Sequence, residues 1–101
     1  MKRSTVLLVL SVFWTSMTFA GDIKKGREIY VNQCASCHGD KALGNKAKKS
    51  PRLAGQFDWY LVSSLKDFQK KKRVAPEMYP YIKDLSAEDM ENVSSYISQI
   101  K

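Results

Sequence analysis

Apolar positions recur at helical spacing in three stretches of the chain, and nowhere do they alternate long enough to read as a strand. Ile23, Gly26, Tyr30 and Cys34 share one face of a first helix, which Asp22 can cap through its carboxylate. Gly26 inside that helix costs about 1 kcal/mol against alanine, so it is expected where another element packs closely. The helix is read as carrying Cys34, Cys37 and His38 and stopping at Gly39. A second helix is expected from about Phe57 to Lys72. Phe57, Leu61, Leu65 and Phe68 form its apolar stripe, and Trp59 and Tyr60 widen the aromatic surface near its start. A third opens at Ser86. Ser86-x-x-Asp89 resembles a capping box with Asp in place of the usual Glu, and Leu85 and Met90 take the staple positions on either side. Met90, Val93, Ile97 and Ile100 then form one apolar face, with Tyr96 beside it.

The connections read differently. Residues 40–50 carry Lys41, Lys46, Lys48 and Lys49 with few apolar residues, and are expected to be a solvated loop. Pro51 to Gly55 is turn-like. Val74 to Lys83 holds Pro76 and Pro80 and cannot be one continuous helix, which leaves Met78 in extended or turn backbone. With no repeats and no low-complexity tract, the class is all-α.

The N-terminus changes the picture of where this chain goes. Met1-Lys2-Arg3 is basic, Val6 to Trp14 is an apolar run broken by Ser11, and Thr18 and Ala20 sit at the −3 and −1 positions of a cut before Gly21. Residues 1–20 read as a signal peptide for export to the periplasm, and residues 21–101 as one small domain. The apolar run is far short of the ~20 residues that a spanning helix needs, so no membrane span is expected in the mature form. The formal charge of the whole chain is +7; without Lys2 and Arg3 it is +5.

All the metal- and thiol-bearing chemistry lies in one place. The chain has two cysteines and one histidine, and all three fall in Cys34-Ala35-Ser36-Cys37-His38. C-x-x-C-H is the spacing of covalent c-type haem attachment: two thiols one turn apart can each bond a vinyl group, and the adjacent imidazole reaches the iron. A structural zinc site wants four ligands, and no further Cys or His exists. A thioredoxin-like dithiol wants a βαβ pattern, which this chain lacks. A domain this small has a thin core, and one covalent haem would complete it. With His38 as one axial ligand, Met78, Met90, a lysine, water or no ligand remain for the other side. Met90 has a structural place on the core face of the last helix. Met78 has no helical face, sits in a proline-braced loop forty residues after His38, and is the favoured ligand. With both axial positions filled, the protein would pass electrons and not be an enzyme itself.

These residues together resemble the bacterial class I cytochromes c. The likeness covers essentially the whole mature sequence and extends to single-haem members and to halves of two-haem ones. It rests on Gly26 and Tyr30 ahead of the haem motif, on Pro51, Leu53 and Gly55 in a Pro-x-Leu-x-Gly segment, on Met78 ahead of Leu85-Ser86-Ala87-Glu88-Asp89, and on Tyr96 in the last helix. The resemblance implies three main helices around one covalently attached haem, with Cys34, Cys37, His38, Met78, Pro51 and Leu53 around the cofactor. It implies that the Pro51 carbonyl accepts a hydrogen bond from His38, and that Tyr96 packs against the first helix. Lys70-Lys71-Lys72 stands where such relatives often have Gly before the arginine matched by Arg73. The main alternative is a haem subunit of a periplasmic enzyme complex, such as a flavocytochrome sulfide dehydrogenase. A small peroxidase requires Met78 not to ligate, and a haem-free nucleic-acid-binding module conflicts with the motif and the export signal. The expected partners are redox proteins. Lysines after the motif and before Met78 would favour acidic docking surfaces.

Overall fold

The structure, a computed structural model, describes residues 21–101; the expected signal peptide, residues 1–20, lies outside the described residues. Five helices follow in order: α1 (Ile23–Gln33), α2 (Ala35–His38), α3 (Asp58–Gln69), α4 (Tyr79–Ile82) and α5 (Ala87–Ser98). The three long ones, α1, α3 and α5, are the three expected from the apolar pattern. Among the described residues there is no strand, only an isolated bridge between Asn45 and Ser50.

The frame is the crossing of α1 on α5. Gly26 sits at the closest approach, where a Cβ would overlap the Asn92 carbonyl. One turn on, the fully buried Tyr30 ring lies 5.7 Å from that of Tyr96, tilted by 49°. Tyr30 also donates its hydroxyl hydrogen to the Gly39 carbonyl beyond α2. Burial pushes this hydroxyl from its ordinary value up to about 12. Polar groups close the other end of the crossing. The Asp22 amide donates to Asn92 Oδ1 at 2.8 Å and the Gly21 amide to Ser95 Oγ at 3.0 Å, so both α5 side chains are buried although polar. Asp22 caps α1 by accepting from the Lys25 amide at 3.1 Å. Ile23, expected on the buried face, is largely exposed because the packed face begins at Gly26.

The capping box of α5 forms as expected. The Asp89 amide donates to Ser86 Oγ and the Ser86 amide to Asp89 Oδ2, both at 3.0 Å, so the shorter Asp side chain reaches far enough. Leu85 and Met90, the staple pair, are buried in one cluster with Ile82. α3 rests on α5 through Leu61, Val93 and Ile97.

Three further expectations need correction. α3 starts at Asp58 and leaves Phe57 outside its buried stripe, 65% exposed and stacked on Trp59 at 5.8 Å; Val62 is buried instead. The helix also stops at Gln69, short of Lys72. Lys71 takes a left-handed conformation (φ 60°), and the amides of Lys71 and Lys72 turn back to the carbonyls of Phe68 and Asp67. Finally, the 40–50 segment is not wholly solvated. Ala42 is fully buried, and its carbonyl accepts from the amides of Leu53 and Ala54 at 2.9 and 3.0 Å, which pins the loop's two limbs together.

Two measurements check this frame. Gly26→Ala is expected to destabilise the protein by about 1–3 kcal/mol through overpacking. Helix propensity alone gives the opposite sign, so denaturant unfolding that shows a gain in stability would refute the close approach. Tyr30→Phe is expected to cost about 0.5–1.5 kcal/mol at neutral pH, since it removes one hydrogen bond to the Gly39 carbonyl, which keeps its bond from the Ala42 amide. Because folding raises the Tyr30 value, its contribution is complete below pH ~10 and is lost as pH climbs through about 12. Melting temperatures across that window should fall in the wild type, and Tyr30→Phe should remove that part of the fall.

Candidate functional site

The first helix does not run unbroken into the haem motif. Cys34 ends α1 and begins α2, with φ −117° marking the bend. The amides of Cys37 and His38 both turn back to the Cys34 carbonyl, at 3.2 and 3.0 Å, so the motif is wound into a single turn of its own. Gly39 (φ 92°) ends that turn in a conformation that suits glycine. No disulfide joins Cys34 to Cys37. Burial, reinforced by the neighbouring Cys37, pushes the Cys34 thiol up to about 12. A reactive dithiol needs the opposite shift, toward thiolate.

The loop beyond α2 folds back beneath His38. The His38 carbonyl accepts from the Gly44 amide at 2.8 Å, and the Ala42 carbonyl fixes the segment after Pro51. This carries the Pro51 carbonyl to 2.9 Å from His38 Nδ1. A carbonyl can only accept, so Nδ1 holds the hydrogen and Nε2 keeps its lone pair free. The ring itself is buried.

Cys34, Cys37, His38, Pro51, Leu53 and Met78, the six residues singled out in the sequence, line one cavity of about 790 Å³. Its walls are apolar, supplied by Leu61, Leu65 and Phe68 of α3, Val93 and Ile97 of α5, and Ile82 of α4. Leu65 and Phe68 are half-buried because they face this space. The volume lies in the range of ~300–1,000 Å³ typical of ligand sites. Two thiols, an imidazole nitrogen and a thioether around an apolar chamber fit a large planar tetrapyrrole with a soft, borderline metal. Met90 does not line the cavity; it is 4% exposed in the cluster with Ile82 and Leu85.

Met78 is held on a short device that the apolar pattern does not reveal. Its backbone is the N-cap of α4, a single turn whose second residue is Pro80. Proline is tolerated there because the first amides of a helix need no partner within it. Gln33 and Gln69 also meet α4, and nothing in their spacing announces it.

Positive charge surrounds the opening. Lys48, Lys49, Arg52 and Arg73 reach the cavity, with Glu77 as the acidic member of the lining. Lys48 Nζ donates to the Ser36 carbonyl at 2.6 Å. Arg73 lies 4.4 Å over the Phe68 ring and bonds Ser64 Oγ at 3.1 Å, while Lys71 Nζ is 4.8 Å from the Tyr79 ring centre. Lys41 and Lys46 are exposed but do not line the cavity. Among the described residues no helix is long and apolar enough to cross a membrane.

Comparison with known proteins agrees with this arrangement. The family described as Cytochrome c matches residues 23–101. Cytochrome c4 of Pseudomonas aeruginosa is 30% identical over 102 residues, covering 100% of this chain and 50% of that protein, so the chain spans about half its length. Cytochrome c-554(547) of Halothiobacillus neapolitanus is 34% identical over 93 residues, covering 81% of this chain and 100% of that protein. A solved structure of thiosulfate dehydrogenase (TsdBA) from Marichromatium purpuratum superposes with a TM-score of 0.73 at 28% identity, over 78% of this chain and 19% of that one. The helical fold, the C-x-x-C-H turn and these matches lead to one conclusion: the chain belongs to the cytochrome c family, whose domain binds a covalent haem c.

Proposed function

We propose that this protein is an electron carrier in which Cys34 and Cys37 tether one haem c by thioether bonds and His38 Nε2 and Met78 Sδ bind its iron. The observation that carries this reading is one apolar cavity lined by both thiols, by His38 with its Nε2 lone pair free, and by one methionine, Met78. When bound, the haem supplies a one-electron Fe(III)/Fe(II) couple. The chain's own residues do the rest. Pro51 holds the His38 Nδ1 hydrogen, which fixes the ring's orientation and raises the basicity of Nε2. Met78 would hold the iron together with His38, which would leave oxygen or peroxide no free coordination site and the protein no bond chemistry of its own. Leu53 and the α3 and α5 side chains keep water from the chamber and disfavour the more highly charged state.

The N-terminal sequence pattern supports export to the periplasm, with cleavage between Ala20 and Gly21. The cationic surround of the opening supports docking of partners with acidic surfaces. A second reading, a haem domain within a larger enzyme assembly, is favoured by the likeness to one fifth of a thiosulfate dehydrogenase chain. Co-purification from native periplasm separates the two: a stoichiometric enzyme partner supports the second.

In the oxidised holoprotein, a weak red charge-transfer band of methionine sulfur on ferric iron is expected. Met78→Ala should erase it and open the iron to cyanide. Met90→Ala should keep it and cost roughly 2–5 kcal/mol of stability, the range for emptying a buried methionine site. A band that survives in Met78→Ala would overturn the ligand assignment. For the charged surround, stopped-flow oxidation by anionic ferricyanide should slow as salt rises, while oxidation by a cationic cobalt complex should speed up. Lys49→Glu with Arg52→Glu should shrink both trends without altering the haem spectrum. Rates indifferent to salt would refute steering.

A further inference from the structure

α4 has only four residues, so nearly all its carbonyls lack partners within the helix. The Tyr79 carbonyl is taken by the Lys83 amide at 2.9 Å. The carbonyls of Tyr81, Ile82, Lys83 and Leu85 accept from two side-chain amides, one at the end of α1 and one at the end of α3. Gln33 Nε2 donates to the Tyr81 carbonyl at 3.3 Å. Gln69 Nε2 is shared among the carbonyls of Ile82, Lys83 and Leu85, at 3.1, 3.2 and 2.8 Å. An amide nitrogen has two hydrogens, so at least one of these three bonds is bifurcated. Both glutamines are the last residue of their helix. Gln33 directly precedes Cys34, and Gln69 directly precedes the turn that leads to Met78.

We propose that Gln33 and Gln69 form an amide clamp that positions Met78. They are positioning residues that act through α4. The clamp grips the carbonyl end of a one-turn helix whose other end is Met78 itself. Two further bonds make that turn a rigid lever: the Met78 amide donates to Ala75 and the Met78 carbonyl accepts from Tyr81, both at 3.0 Å. A shift of α4 therefore moves the Met78 backbone with it. By joining the α1 terminus beside the haem-attachment turn to the loop on the Met78 side, the clamp couples two parts of the cavity wall that share no backbone hydrogen bond. This inference rests on Met78 being the iron ligand.

The test uses ferric holoprotein and imidazole, which competes for the position that Met78 fills. Gln69→Leu removes three acceptor contacts and Gln33→Leu removes one, without changing charge. Gln69→Leu is expected to tighten imidazole binding roughly tenfold, and the double variant more, because each lost hydrogen bond lowers the cost of releasing the loop. Gln33→Leu alone, the milder change, should shift the affinity in the same direction and carries the test if Gln69→Leu does not fold. Ser86→Ala, which removes the cap of α5, is the control for general destabilisation. It should lower the melting temperature and leave imidazole affinity unchanged. Unchanged imidazole affinity in both clamp variants, with the sulfur band present in wild type and absent in Met78→Ala, overturns the clamp alone. A sulfur band that persists in Met78→Ala overturns the ligand reading and the clamp with it.

Discussion

Everything in this domain hangs on how closely α1 can approach α5. Absence of a side chain at Gly26 lets the α1 backbone settle against the Asn92 carbonyl, and the Tyr30–Tyr96 contact then fixes the rotation of one helix about the other. From that crossing, α1 points its C-terminal end, and so the C-x-x-C-H turn, toward one side of the chamber. α5 lends Val93 and Ile97 to the same chamber and offers a floor for α3. A wider crossing would displace the thiols relative to the wall they face.

The histidine depends on a second, smaller constraint. His38 is oriented by a backbone carbonyl, not by a side chain, so its partner cannot be removed by simple mutation. What places that carbonyl is the buried Ala42, whose own carbonyl binds the amides of Leu53 and Ala54 and draws the loop closed. Ala42 does this in a left-handed conformation (φ 56°) that costs a non-glycine residue roughly 1 kcal/mol. The cost is met where the histidine needs a rigid neighbour.

What could be read from the sequence was whatever depends on near neighbours. The Asp22 cap, the Ser86–Asp89 box and the Leu85–Met90 staple are local devices, and each is present in the structure. The gathering of all six candidate residues at one cavity followed from a motif with fixed spacing and a resemblance along the whole domain. The misses have physical reasons. Asn92 and Ser95 look like surface residues to any count of apolar positions, yet they are buried because the amides of Asp22 and Gly21 need acceptors. The end of α3 carries no glycine to announce its left-handed residue; Lys71 takes that role and lays its charge against Tyr79. Phe57 has the right spacing for the α3 stripe but precedes the helix, so it stacks on Trp59 at the surface. α4 is a single turn, too short for any periodicity, and a glutamine at a helix end gives no sign of the carbonyls it will meet.

The bonds that join Gly21 to Ser95 and Asp22 to Asn92 span 74 and 70 residues, almost the full length of the domain. For pairings so distant in sequence, a long loop must close before any contact rewards it. A chain emerging N-terminus first therefore cannot form the α1–α5 crossing until α5 has also emerged. During that interval the two cysteines and His38 belong to an unpacked segment that is open on all sides. Closure of the last helix on the first thus completes the chamber, since Val93 and Ile97 can line it only once α5 is in place.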